Sequence, residues 1–247
     1  MSPATRPVRH AIILAAGNGD RFQTPAHESK LLQPLLGKPL LLRTIEAAHD
    51  AGIAHATIVL GYQAERVRAL AQRAASPGLT LSFVVNREWR LENGVSALAA
   101  RDAAGAERFA LLMGDHVFDP GVLAGMLRLP LDPHESALAI DRRDVPPEVA
   151  DEATKVRLRG SRIVAIGKDL REYDALDTGV FVCAPALFDA LAVARQAGDT
   201  TLSGGIRGLA ARGLMRGFDI GDARWCDIDT VSDLAAAESA LGAGTPA

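Results

Sequence analysis

The 247-residue chain is 48% hydrophobic and 23% charged, an ordinary globular balance, and its net charge of −3 argues against partnership with nucleic acid. Two cysteines, Cys183 and Cys226, exclude a disulfide framework and fit a reducing cytoplasm. No apolar run is long enough to span a bilayer, residues 1–10 lack the apolar segment of a secretory signal, and residues 242–247 read as a small, frayed tail.

Short apolar runs alternate with amphipathic stretches. Residues 11–15 read as a buried strand, 39–51 as a helix with Leu41, Leu42, Ile45 and Ala48 on one face, and 56–60 as a second strand. A helix over 64–75, a strand over 81–85, a small-residue helix over 94–104, a strand over 109–113 and a helix over 120–127 follow. This alternation predicts an α/β fold, a Rossmann-like doubly wound, mostly parallel sheet. The second half is richer in strands: 137–141, a hairpin of 155–159 and 163–168 around Arg159-Gly160-Ser161, then 177–183, 218–220 and 225–229. Helices are expected over 185–194, 203–211 and 231–241, the last capped by Asp229 or Thr230. Without a repeat or a linker, one domain over 8–241 is expected, with halves 8–130 and 131–241.

Ligands of such sheets sit at the carboxyl ends of the strands. Leu14-Ala15-Ala16 runs there into Gly17-Asn18-Gly19-Asp20-Arg21-Phe22. Gly17 and Gly19 permit positive φ and close approach, and successive N–H groups can cradle an anion. Arg21 offers a planar fork to phosphate and Lys30 a point charge. A dinucleotide fingerprint needs a small residue where Phe22 stands, which rejects a NAD-dependent oxidoreductase. A Walker A loop fails because Gly37-Lys38 is followed by Pro39.

Asp115, in Gly114-Asp115-His116, emerges at the same edge, where a carboxylate suits Mg²⁺ and serves equally as a helix cap. In Trp225-Cys226-Asp227-Ile228-Asp229-Thr230, a strand would put Asp227 and Asp229 on one side, and two close carboxylates call for a cation. Lys155 and Lys168 flank the predicted hairpin; alone, each reads as a solvated surface lysine.

The run from Leu14 to Phe22, followed by Lys30, resembles the L-A-A-G-x-G-S/T-R-F/M signature of nucleotidyltransferases that activate sugar phosphates and similar alcohol phosphates. It departs at Asp20 (usually Ser/Thr), at Ser29 (usually Pro) and in the longer, polar 23–28 segment. Glu92-Asn93-Gly94-Val95-Ser96, Gly114-Asp115-His116-Val117-Phe118, Glu152-Ala153-Thr154-Lys155-Val156, Ile166-Gly167-Lys168-Asp169-Leu170 and Asp177-Thr178-Gly179-Val180-Phe181 together resemble the inositol-1-phosphate cytidylyltransferases.

That resemblance implies a nucleotide-diphospho-sugar transferase type of fold and a Mg²⁺-dependent reaction of CTP with inositol 1-phosphate, giving CDP-inositol and pyrophosphate. It implies Arg21, Lys30, Asp115 and Asp227 as catalytic groups, with Asp115 and Asp227 on the metal and Asp229 as a weaker third ligand. Leu14, Ala15, Ala16, Gly17, Gly19, Asn93, Gly94 and Ser96 would meet the nucleotide. His116, Asp141, Lys155, Asp177, Thr178 and Gly179 would meet the acceptor, with His116 beside the metal ligands or at the substrate edge. Many relatives are fused to a membrane-embedded transferase; here the expectation is a stand-alone, non-membrane-spanning enzyme that feeds a separate one. A homodimer is compatible but unspecified. The rival acceptors are phosphocholine, a phosphonate or a hexose 1-phosphate. A choline cage is disfavoured by 4% aromatics. The rival of another class, a non-catalytic nucleotide sensor, is opposed by the intact set of Arg21, Lys30, Asp115 and Asp227.

Overall fold

A computed structural model describes residues 7–22, 28–74 and 76–242. Most of the expected 23–28 extension, the helix end at Ala75, and residues 1–6 and 243–247 lie outside the described residues.

In chain order the elements are β1 (His10–Ala15), β2 (Pro34–Leu35), β3 (Lys38–Pro39), α1 (Leu40–Asp50), β4 (His55–Leu60), α2 (Ala64–Ala71), β5 (Thr80–Val85), α3 (Asn93–Ala99) and α4 (Arg101–Ala104). There follow β6 (Phe109–Met113), β7 (His116–Phe118), α5 (Pro120–Met126), β8 (Ser136–Asp141), α6 (Pro147–Glu152), β9 (Lys155–Arg159), β10 (Arg162–Gly167) and β11 (Ala175–Cys183). The chain closes with α7 (Ala186–Gln196), α8 (Leu202–Ala211), β12 (Met215–Asp219), β13 (Trp225–Asp227) and α9 (Val231–Gly242).

Nine strands form one sheet in the order β5-β4-β1-β6-β11-β8-β12-β10-β9. The four strands of the first half are parallel, and β1 lies between β4 and β6. Helices cover both faces, so β1 is apolar from Ala11 to Ala15 rather than alternating. Ile13 and Ala15 pack in one core with Leu41, Val67 and Val122; Ile12 and Leu14 pack in the other with Leu187 and Ile206. The second half mixes directions: β11 runs antiparallel to β6 and β8, while β12 is parallel to β8.

This change of direction positions the site. With Val180 opposite Leu112, the N-terminal end of β11 meets the C-terminal end of β6, so Asp177 and Gly179 arrive at the edge that carries Asp115. β8 is antiparallel to β11, so its last residue, Asp141, arrives there too.

Four expectations change. The 94–104 helix breaks at Ala100, where φ −91° and ψ 4° leave the α-helical region. The 39–51 helix begins at Leu40 because Pro39 is extended. The strand at 225 ends at Asp227; beyond it Thr230 and Asp233 form a reciprocal cap of α9, with the Thr230 N–H 2.7 Å from Asp233 Oδ2 and the Asp233 N–H 3.1 Å from Thr230 Oγ1. Asp227 and Asp229 therefore do not share a strand face. Finally, β7 pairs with β13, an unforeseen ribbon whose register sets His116 opposite Asp227. Among the described residues no helix is long and apolar enough to cross a membrane.

Candidate active site

An open cleft of about 2530 Å³ runs along the carboxyl edge of the parallel strands. The loop after β1 forms one wall. Gly19 has φ 63°, a left-handed conformation, whereas Gly17 does not. The Phe22 N–H donates to the Gly19 carbonyl at 2.7 Å and closes the turn. The Phe22 ring is buried with Leu35, Leu40, Ile228 and Ala237. Burial of such a ring contributes roughly 2–3 kcal/mol, so Phe22 anchors the loop to α9. Asp20 accepts from the Asn18 amide, which ties its carboxylate to the loop itself.

Lys30, in a single 3-10 turn, is buried at 8% exposure. Its Nζ lies 2.6 Å from Asp115 Oδ2 and 2.6 Å from Asp229 Oδ1. Arg21 pairs with Asp229 and, at 3.4 Å, with Glu152 of α6. The Asp115 corner is held by the Gly114 N–H on the Leu14 carbonyl at 2.9 Å and by the Thr44 hydroxyl, 3.2 Å from the Gly114 and His116 carbonyls. His116 Nδ1 lies 2.8 Å from the Thr178 carbonyl, and its Nε2 lies 3.3 Å from Asp227 Oδ1 and 3.9 Å from Asp115 Oδ1.

Three carboxylates thus face three cationic side chains. Burial works against the charges of Lys30, His116 and Asp227, and their neighbours reverse it. Burial disfavours the Lys30 ammonium, yet Asp115, Asp229 and Asp227 hold it protonated above the usual lysine range. Burial likewise disfavours the His116 imidazolium, but Asp227 and then Asp115 raise its pKa to about 10. Asp227 is held well below the usual carboxylate range because His116 and Lys30 outweigh its burial. At Asp177 burial prevails: with Asp227 it pushes the group up to about 6 against the pull of the Gly179 N–H and His116. Asp115, His116 and Asp227 each offer a donor atom within 4.8 Å of the others, and two carboxylate oxygens suit a hard divalent cation.

The opposite wall of the cleft carries Asp141, 3% exposed. Trp225 Nε1 donates to its Oδ2 at 2.7 Å, and Arg143 grips both oxygens at 2.9 and 2.7 Å. Burial raises the Asp141 pKa, but these donors carry it below the usual range. Leu14, Ala16, Gly17, Gly19, Asn93, Ser96, His116, Asp177 and Gly179 also line the cleft.

The other expected contacts lie beneath its surface. Ala15 is core. A Cβ on Gly94 would lie 2.6 Å from the Thr200 and Thr201 carbonyl oxygens, so this glycine lets α3 pack against the segment before α8. The Thr178 hydroxyl donates to the Ala139 carbonyl at 2.8 Å. Lys155 is 7% exposed and donates to the Lys168 carbonyl at 2.8 Å, while the Lys168 side chain lines the cleft. Arg143 and Glu152 escaped the sequence reading. Arg143 had a signal, since it stands two residues past Asp141 and an extended chain puts i and i+2 on one side; Glu152 had one as well, as the first residue of the Glu152-Ala153-Thr154-Lys155-Val156 segment.

Gly179 explains how His116 fits. Its φ is 75°, and a Cβ there would lie 2.2 Å from His116 Nδ1. Gly179→Ala is expected to destabilise by at least about 1–2 kcal/mol from the left-handed backbone alone, and to displace the ring. Thermal unfolding together with the His116 imidazole NMR signals checks this; an unchanged melting temperature and unchanged signals would contradict it.

Nucleotidyl transfer needs a loop that wraps a triphosphate, cations to neutralise it and a place for a divalent metal, all beside a second substrate pocket. This edge gathers a glycine turn, the cations Arg21 and Lys30 and the carboxylates Asp115 and Asp227 in one cleft, and the protein is an enzyme of the nucleotidyltransferase class. The chain belongs to the MobA-like NTP transferase domain family, which matches residues 11–206. It is 34% identical over 238 residues to the Bifunctional IPC transferase and DIPP synthase of Rubrobacter xylanophilus, covering 92% of this chain and 51% of that protein. The Aquifex aeolicus protein of the same name is 30% identical over 236 residues, covering 95% and 52%. The chain thus spans about half the length of these relatives. CMP-5'-(3-aminopropyl)phosphonate synthase of Streptomyces rubellomurinus is 36% identical over 143 residues, 57% of this chain and 22% of that protein. Among solved structures, the inositol-1-phosphate CTP transferase from T. maritima superposes with a TM-score of 0.82 at 25% identity, covering 98% of this chain and 100% of that one.

Proposed function

We propose that the protein is a cytidylyltransferase that makes CDP-inositol and pyrophosphate from CTP and inositol 1-phosphate with Mg²⁺. The observation that carries transfer chemistry is Lys30 held between Asp115 and Asp229, with Asp227 alongside. CTP and inositol 1-phosphate are supported by likeness along nearly the whole chain to the T. maritima transferase.

In this reading residues 8–130 hold the nucleotide and 131–241 the acceptor. The acceptor monoester is already an anion at neutral pH, so one of its oxygens attacks the α-phosphorus without a general base. The bond to that oxygen forms, the α–β bond breaks, and pyrophosphate leaves with its electron pair. Arg21 and Lys30 neutralise the triphosphate, exchanging Asp229 for phosphate oxygens. Asp115 and Asp227 would hold Mg²⁺, which supplies charge neutralisation at the phosphates when bound. Arg143 and Lys168, at the acceptor wall, meet the incoming phosphate. Catalysis is positioning and electrostatics. The free thiols Cys183 and Cys226 fit a cytoplasmic site of action, and the product would pass to a membrane transferase.

A pyrophosphate-release screen crossing four nucleoside triphosphates with inositol 1-phosphate, phosphocholine, hexose 1-phosphates and an aminoalkylphosphonate tests this. CTP with inositol 1-phosphate is expected to dominate. Faster turnover of a hexose 1-phosphate with UTP or dTTP would overturn the substrate assignment. Preference for the phosphonate would favour the second reading, which the similarity to the aminopropylphosphonate enzyme supports.

A further inference from the structure

His116 is built into the cluster more firmly than a bystander requires. Its Nδ1 faces the Thr178 carbonyl at 2.8 Å. A carbonyl only accepts, so Nδ1 keeps its hydrogen, and Nε2 is the nitrogen that gives a lone pair once its own proton leaves. Nε2 points at Oδ1 of both Asp227 and Asp115, at 3.3 and 3.9 Å. A backbone carbonyl gripping the remote N–H is the arrangement that orients metal-ligating histidines. Gly179 leaves room for the ring, since any Cβ there would overlap it, and Thr44 supports the His116 carbonyl. Mg²⁺ prefers an all-oxygen shell, whereas a mixed imidazole and carboxylate set favours divalent ions of the first transition row over Mg²⁺.

We infer that Nε2 of His116 is a third protein ligand at this site, and that Asp115, His116 and Asp227 bind Mn²⁺ or Co²⁺ more tightly than Mg²⁺. The inference rests on the reading of this cluster as the metal centre of a nucleotidyltransferase. A bound ion takes the place of the Nε2 proton, while Lys30 keeps its contact with the other oxygen of Asp115.

The test uses Mn²⁺ alone, added to the chelator-treated full chain, followed by electron paramagnetic resonance and spin-echo modulation. Nitrogen modulation is expected in the wild type, with its pattern changed when the protein is grown on ¹⁵N-histidine; this needs no variant to fold. His116→Asn is expected to lose the modulation and at least about tenfold in Mn²⁺ affinity, while Mg²⁺ affinity, read by competition, changes by less than roughly threefold. An oxygen-only shell around bound Mn²⁺, or no Mn²⁺ binding by the folded chain, overturns the inference. Nitrogen coupling without consumption of any triphosphate in the screen would instead remove the proposed function and leave His116 a ligand.

Discussion

Lys30→Met is expected to lower kcat by about 10²–10³ with a smaller change in KM, as for other preorganised electrostatic groups. Methionine keeps the length and apolar stem of lysine and removes only the charge. That charge is nearly out of solvent and touches two carboxylates at 2.6 Å each. In the proposed reaction it moves with the triphosphate from Asp229 to phosphate oxygens, so its contribution grows as charge leaves with pyrophosphate. The same change removes the closest cation of Asp115 and leaves Asp229 only Arg21, both beside Asp227. Breaking such a pair costs about 3 kcal/mol, the low end for buried pairs, because both carboxylates keep some solvent. Denaturant titration in chelator should show this loss, and a divalent cation should restore part of it by neutralising the same carboxylates. Near-normal turnover in a folded Lys30→Met protein would remove Lys30 from the mechanism.

Asp227→Asn is the second large effect, with kcat lowered by about 10²–10³ and the requirement for divalent cation raised. It also predicts a pH signature in the metal-free protein. His116 titrates at about 10 against its ordinary 6.5, so its stabilising contribution is complete below pH 6.5 and lost as pH rises through about 10. Asp227 is shifted down, so its contribution is present above the ordinary carboxylate value of 3.8 and lost as pH falls through its lower folded value. Wild type should therefore exceed Asp227→Asn in stability most between about pH 4 and 7, with the gap closing toward pH 10. A gap that stays constant across that range would show that the pair is not electrostatically coupled.

The structure and the sequence meet most closely in the first half. The β1 strand was readable because residues 11–15 are all apolar and the next turn is marked by Gly17 and Gly19. Arg21, Lys30 and Asp115 were readable because they sit one loop away from a strand end, where a parallel sheet delivers its ligand groups. The break at Ala100 was not readable, since Ala99, Ala100 and Arg101 all favour helix and tertiary packing alone decides it. Lys155 shows the reverse: its motif drew attention, yet its ammonium turns to the Lys168 carbonyl and leaves the cleft to Lys168.

By itself the sequence determined the alternation of strands and helices, the glycine turn after β1, the class of chemistry and three of the charges that meet in the cleft. These depend on apolar periodicity and on glycines, cations and carboxylates close in the chain. Only the tertiary structure decided that Asp229 belongs to Lys30 and Arg21 while Asp227 belongs to His116. That partition depends on β13 ending at Asp227 and pairing with β7, more than a hundred positions away in the chain, and on antiparallel β11 carrying Gly179 to the ring. Long-range pairing is chosen by the burial of whole elements, so no local pattern around Trp225 or His116 could announce it.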